Sequence, residues 1–545
     1  MSSSRTCGCC VCPTDAVQSS GGVGGGVGWA GPAREYLESV VAWLEGPDAM
    51  VAGHGELETR LQVDSREQYR LLLQGHLDAR AAREPRRKDV TDNDGQTRRR
   101  VENGHQRALE TVFGLVTVTR KAYRANRTGS MTHHENENEN VNGSGLVRRA
   151  AGNLYPADAV ANLPPVRQSA GLARLVAIEA ARGSFGGARE AVERATGVAL
   201  GKRQVEGLAA RAAVDVDGFY AARAAERCPD AVLGLQCDGK GIVMRPGHLR
   251  PATAKAAAKS AAKLATRLSP GEKHGRKRMA EVVAVYDLKP APRTVEDVIP
   301  TRATTSARQD NPAARPPPAV SGKWLHANVI DDIPAVISAM FDEAERRDPD
   351  HQRTWVALID GNNQQIDTIR DQAQARGVTL TILIDFVHVL EYLWKAAWTL
   401  YFPGDRDAEV WVADRARTIL TGRAIDAAAT IAQQADAAGF RGSERTGADE
   451  AVTYLTRKAP YLDYATALTN GWQIATGIIE GAARFLIKDR MDITGARWTT
   501  PGAQTILNLR AVIANGDFDT YWQYHQQQEL RRNHLDHYQQ LDLAA

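Results

Sequence analysis

Apolar positions change their spacing several times along the chain, and each change marks a boundary. Over residues 33–82 they recur at helical intervals, with Tyr36, Leu37, Val40, Val41 and Leu44 on one face. Helices are predicted there, followed by a charged stretch to about Arg107. Around Gly114, in TVFGLVTVTRKAYR, apolar and polar residues alternate from Val112 to Tyr123, which predicts a short β-hairpin. HHENENENVNGSG at 133–145 is polar low complexity and reads as a loop. Helical spacing returns in three segments, 169–182, 188–196 and 202–223, separated by GSFGG and GVALG. That grouping resembles a helix-turn-helix unit. Its third helix opens on Lys202, Arg203 and Gln204, side chains suited to phosphates and base edges. A plain helical bundle with a solvated polar face is the competing reading.

The second half changes character. Short apolar runs of strand type stand at 231–238, 279–288, 354–360 and 378–385, with a helical pattern at 364–376 between the last two. These imply a mixed α/β core. A Pro-, Ala- and Arg-rich linker is expected at 301–321, and four to six helices between 386 and 473. The expected organisation is a disordered tail at 1–30, a helical region at 31–108, and a hairpin, loop and helix-turn-helix-like DNA-binding region at 109–225. The α/β core then covers 226–400 and 474–515, with a helical insertion at 401–473 and a helical tail at 516–545.

Composition narrows the class. The chain has 545 residues, 43% hydrophobic and 24% charged, ordinary values for a globular protein and unlike a chain disordered throughout. No window offers the eighteen or so apolar residues that cross a bilayer, and MSSSRTCGCC lacks the apolar core of a secretory signal, so a cytoplasmic location is expected. Four cysteines crowd CGCCVC in the tail, too close to surround one zinc ion readily. Net charge is only +3, but ten Lys or Arg and one acid lie between Arg245 and Arg278. Within that block Lys255, Lys259, Lys263 and Arg267 recur every four residues on an Ala-rich segment, and Arg276, Lys277 and Arg278 close it. One positive helical stripe results; by itself it reads as a solvated surface helix, and beside a DNA-processing core it is expected to track phosphates.

Three acids stand where chemistry is possible. Asp238 and Asp360 each end an apolar run and precede a glycine, the place where α/β sheets present ligand-binding groups. For each, a turn aspartate capping the next helix is the plainer reading. Glu480 lies between Ile479 and Gly481 in an apolar helix opening, and its plainer reading is an ion pair with Arg484 one turn on. Carboxylates gathered in one place repel unless divalent cations neutralise them, and oxygen-only ligands favour Mg2+ or Mn2+. Asp385 also ends a strand-like run, and with His388 and Glu391 it forms a rival helical cluster that could bind a metal. There is no GxxxxGK[ST] loop, so no nucleotide cofactor is expected.

CDGKGIVMR (237–245), RLSPGEKHGRKRMAEVVAVYD (267–287), LIDGNNQQ (358–365), LIDFVHVLEYLWKAAW (383–398) and IATGIIEGAARFLIKDRMDITGARW (474–498) closely resemble the ISKra-type insertion-sequence transposases. Those enzymes belong to the DDE superfamily and have a ribonuclease-H-like core. The likeness runs from about 109 to 538. It implies a DNA transposase that cleaves and joins the terminal inverted repeats of its element, a homo-oligomer on double-stranded DNA, using two Mg2+ (or Mn2+) ions. Asp238, Asp360 and Glu480 then become the catalytic, metal-holding acids, with Asp238 shared between the ions. The helices after Asp385 resemble the insertion of Mutator-like relatives, where Asp385 and His388 support the site or contact DNA. One departure is plain: many relatives carry a zinc-ribbon-like CxxC pair after the hairpin, and RKAYRANRTGSMTHHENENEN has no cysteine. A silent or domesticated DNA-binding protein, and a nuclease without strand transfer, are the alternatives.

Overall fold

The computed structural model describes residues 28–124, 152–224, 228, 230–259, 276–300, 315–493 and 495–541. Outside them lie nearly all of the expected tail at 1–30, the loop at 133–145, most of the linker at 301–321, and Lys263 and Arg267 of the basic stripe. The chain divides into two compact units, Met1–Lys88 with Arg99–Leu109 and Phe113–Asn153, and Asp89–Arg98 with Glu110–Val112 and Leu154–Ala545.

The first unit contains α1 (Gly31–Leu44), α2 (Pro47–Val51) and the long α3 (His54–Arg83). Tyr36 donates its hydroxyl to Asp64 at 2.9 Å, tying α1 to α3. After the short pair β1 (Val90–Thr91) and β2 (Thr97–Arg98), which belongs to the second unit, comes the hairpin of β3 (Arg100–Thr111) and β4 (Gly114–Arg124). Gln74 of α3 caps the open edge of β4, donating to the Thr117 carbonyl at 3.0 Å and accepting from its N–H at 2.8 Å. This hairpin is longer than the alternation predicts. Most of β3 is half-exposed and polar, RVENGHQRALET, so its period of two has little apolar contrast to carry it.

In the second unit α4 (Pro156–Val160) precedes the helix group α5 (Ala170–Arg182), α6 (Phe185–Thr196), α7 (Lys202–Ala212) and α8 (Val216–Ala222). Ser169 and Ser184 cap α5 and α6 by accepting from Leu172 and Gly187 backbone N–H groups. Leu172, Val176, Ala177, Ala180 and Ala181 bury one face of α5. The third predicted helical segment, 202–223, is broken into α7 and α8 by a turn at 213–215.

Next come β5 (Val232–Val243), α9 (Pro251–Lys259), β6 (Lys277–Lys289), α10 (Val295–Val298), β7 (Ala319–Asn328), α11 (Ile333–Arg347), β8 (Trp355–Ile359), α12 (Asn363–Arg376) and β9 (Leu380–Ile384). The five-stranded sheet runs β7-β6-β5-β8-β9, antiparallel across β7, β6 and β5 and parallel across β5, β8 and β9. WVALI of β8 is wholly buried, as a central parallel strand requires. Strand β7 and helix α11 do not stand out in the sequence, since β7 alternates weakly and holds Gly322 at φ +58, where an added Cβ would meet Asp287 Oδ2 at 2.6 Å. Asp287 is buried and joins Arg347 at 3.2 Å and Arg353 at 2.6 Å, fastening β6 to α11 and to the approach of β8.

After the sheet, five α-helices follow between 386 and 473, within the expected range: α13 (Phe386–Leu400), α14 (Arg406–Leu420), α15 (Ala424–Ala437), α16 (Thr446–Lys458) and α17 (Tyr464–Thr469). The chain then returns to the sheet with α18 (Gly477–Ala483), a π-helical turn at Arg484–Lys488 and α19 (Asp489–Met491). It ends with α20 (Thr500–Ala514) and α21 (Phe518–Asn533). No helix among the described residues is long and apolar enough to cross a membrane.

Candidate functional site

Strand register places the aspartates. Cys237 of β5 lies opposite Ile359 of β8, and Ile359 opposite Ile384 of β9. The next residues along, Asp238, Asp360 and Asp385, therefore share one row; Asp360 and Asp385 directly follow β8 and β9, whereas Asp238 lies inside β5, which stays paired with β6 as far as Val243 and does not end at the aspartate as its apolar run suggests. Asp360 accepts from the Asn362 N–H at 3.0 Å, and Asn362 in turn caps α12. Between them Gly361 has φ +94 and approaches the Tyr454 hydroxyl so closely that a Cβ would sit 3.0 Å from it. Both the turn reading and the ligand-presenting reading of Asp360 are thus geometrically compatible.

Glu480 reaches the same end of the sheet from 120 residues further on. Buried Gln236, two residues before Asp238, accepts the Ile479 N–H at 3.0 Å and donates to Tyr286, whose hydroxyl continues to Gln473 at 2.9 Å. That polar chain docks the start of α18 on β5. The expected pair with Arg484 does not form, because Arg484 faces Asp489 at 3.6 Å across the π-helical turn. Glu480 is exposed and has no ion pair among the described residues.

Electrostatics couples these acids. Burial pushes the Asp238 carboxyl above its ordinary range, and the charges of Asp360 and Glu480 push it further, against the pull of Lys240 and the Gly239 N–H. A fourth carboxylate belongs with them. Glu281 of β6 is the register partner of Gly239, is 5% exposed, and is pushed up to about 7 by burial and by Asp238 and Asp360, against the bond from Gln365. Gln365, on the first turns of α12, donates its amide to Glu281. Glu281 is not among the acids that the sequence pattern singles out; its one local signal is that it is one of two acids, with Asp287, inside the apolar run MAEVVAVYDL. Gln236, Gln365 and Thr476 carry no local signal.

Asp385 has a different occupation. It is 3% exposed, caps α13 by accepting the Val387 N–H at 2.9 Å, and receives the Thr476 hydroxyl at 2.5 Å. The same hydroxyl oxygen lies 3.3 Å from Glu480. Asp385 thus anchors the segment that presents Glu480. His388 pairs with Glu391 at 3.1 Å and stands edge-on to Tyr392 and Tyr454, which stack with centroids 3.9 Å apart. Asp385 takes no part in that pair. Beyond Gly361, Tyr454, Lys458 and Asn363 line a cavity of about 860 Å³.

The remaining expected positions separate by location. Lys202, Arg203 and Gln204 are exposed on the first turn of α7, and Gln204 accepts the Gly201 N–H at 2.7 Å, completing the helix start. Lys255 is exposed on α9, and Lys259 is its last residue. Arg276 and Lys277 are half-buried, Lys277 lying across Gly241. Arg278 donates to the Val329 and Ile330 carbonyls at 2.6 and 2.8 Å, holding the end of β7.

Asp238, Asp360, Glu281 and Glu480 form an all-oxygen donor set, which in its chemistry fits a hard divalent cation. As placed, no three His, Cys, Asp or Glu side chains among the described residues close into a ready-made metal cage. No family model and no curated protein matches the sequence.

Proposed function

We propose that this chain is a DNA transposase of the ISKra insertion-sequence type, cutting and joining DNA ends by two-metal phosphoryl transfer on a ribonuclease-H-like core. The observation that carries the reading is geometric: strand pairing sets Asp238 beside Asp360 on neighbouring parallel strands, 122 residues apart in the chain, and the Ile479–Gln236 hydrogen bond docks the helix of Glu480, 120 residues further on, against the same strand. A fold does not gather mutually repelling carboxylates without a compensating cation or proton. The mixed order β7-β6-β5-β8-β9, with acids within β5, directly after β8 and on a late helix, supports the ribonuclease-H-like assignment. The five-helix segment between 386 and 473 supports the Mutator-like one.

Asp238, Asp360 and Glu480 would hold the cations, with Glu281 beside them. Bound Mg2+ or Mn2+ supplies activation of the attacking hydroxyl and stabilisation of the leaving oxygen. The chain's own part is placement. Gln236 and Thr476 fix α18, Asp385 fixes Thr476, and Gln365 orients Glu281.

The test uses the purified chain with Mg2+ and the DNA that flanks its gene. Nicking at terminal repeats and joining of the new 3′ ends to target DNA are expected. Asp238→Asn, Asp360→Asn and Glu480→Gln should each remove both, by about 10³-fold or more, while affinity in a chelator stays within a few-fold. Cleavage without joining would make the chain a nuclease, and binding without cleavage a DNA-binding protein only.

A further inference from the structure

A second charged feature lies away from the acids. Arg490, in the motif FLIKDRMDITGARW, is 3% exposed and its Nη2 is buried with no hydrogen-bond partner. Its guanidinium is held between the rings of Phe185 and Trp498, 5.1 and 4.9 Å from their centres, and its Nε donates to the Ala180 carbonyl at 3.0 Å. Arg510, also buried, donates to the carbonyls of Ala181 and Phe485. Burial and the charge of Arg510 push Arg490 down to about 10. The Ala180 and Ala181 carbonyls belong to the last turn of α5, whose dipole offers about half a negative charge against two full positive ones. No carboxylate pairs with either guanidinium among the described residues, so positive charge is left over where a buried ion needs a partner.

Arg490, though not Arg510, borders an open groove of about 1070 Å³. One wall is the start of α7, with Lys202 and Arg203; the other carries Arg245 and Arg497; Arg490 also lines it, and Glu206 is its acid. Five cations against one carboxylate make it an anion site. The wall bearing Arg245 is stitched to the catalytic strand, since Trp498 N–H donates to Val243 at 3.0 Å and Arg245 N–H to Trp498 at 2.8 Å.

We propose that this groove is the seat of the DNA backbone, with Arg490 as a buried phosphate anchor between the α7 and Arg497 walls. The proposal rests on the DNA-enzyme reading and adds where the duplex lies. From Asp238 to Arg245 the chain is extended over seven steps, about 23 Å at roughly 3.3 Å per residue. At about 3.4 Å per base pair, the phosphates in the groove sit some six to seven base pairs from the one at the acids. A run of phosphates, more than a single small anion, suits a groove with cations on both walls.

The test is binding of a random-sequence 30-base-pair duplex to the full chain in chelator, across a salt series. Arg245→Ala with Arg497→Ala, both exposed positions, should weaken binding at least tenfold and reduce the log–log salt slope by about two. Arg490→Met should fold, with an unchanged or higher melting temperature, and bind more weakly. On terminal-repeat DNA, backbone footprinting of the double variant should lose protection six to seven base pairs from the cleavage position. Unchanged affinity and slope in the double variant, with wild type binding normally, would overturn the groove and leave the DNA reading intact. Failure of wild type to bind any duplex would overturn both. Should Arg490→Met not fold, the exposed pair decides.

Discussion

Glu281 offers a direct measure of what burial, with two other acids nearby, costs a carboxylate in this site. In the folded chain its carboxyl is held at about 7 rather than its ordinary 4.5. Between those values the native chain keeps a proton that the unfolded chain has released, so stability falls as pH rises through this window. At about 1.36 kcal/mol per tenfold change, the loss reaches roughly 3 kcal/mol by pH 7 and is constant above it. Glu281→Gln keeps the size and the bond from Gln365 and removes the ionisation. The variant should match wild type near pH 4.5 and exceed it by up to roughly 3 kcal/mol at pH 8. Urea unfolding in chelator, followed by tryptophan fluorescence with Trp355 buried in the sheet, reads this as a widening gap between the two midpoints with pH. Asp238 is raised in the same direction, so wild type and variant should share a residual downward slope that Asp238→Asn reduces. A gap independent of pH, or a variant that loses stability relative to wild type as pH rises, would refute the raised carboxyl.

Other expectations follow from the supporting residues. Asp385→Ala removes the α13 cap and strands the Thr476 hydroxyl, so it should destabilise by about 1–3 kcal/mol and reduce cleavage only in part, with Thr476→Val giving a similar partial loss; complete inactivity of Asp385→Ala with a normal melting curve would instead make it a catalytic acid. Asp287→Ala leaves Arg347 and Arg353 buried without their shared carboxylate and should cost about 3–5 kcal/mol in thermal or denaturant unfolding, whereas a loss below about 1 kcal/mol would mean the network relaxes around the gap.

Much of the core is legible in the order of residues alone. Strands β5, β6, β8 and β9 are dense apolar runs; the first half of β5, most of β6 and all of β8 are buried on both faces, which demands that composition, while the edge strand β9 buries Leu383 and Ile384. The capped helices α5 to α7 announce themselves through Ser169, Ser184 and the glycine before Lys202. Strands β3 and β7 do not, because one face of each is solvated and their apolar contrast is low. Asp238, Asp360 and Glu480 can be singled out as acids in apolar surroundings, but three residues spread over 242 positions carry no mutual distance in their order. Pairing register puts Asp238, Asp360 and Asp385 in one row, and a hydrogen bond from Ile479 to Gln236 brings Glu480 to it. Within that row Asp385 stands apart, since its carboxylate is consumed by Val387 and Thr476, and the second of those bonds exists only through long-range packing. Glu281 joins the acids through a neighbouring antiparallel strand, and Arg490 is a buried charge only because α5 and Trp498 close over it. Local sequence determines which segments are helix or strand and which residues can carry charge. Which charges meet, and therefore which are perturbed, is decided by contacts between residues far apart in the chain.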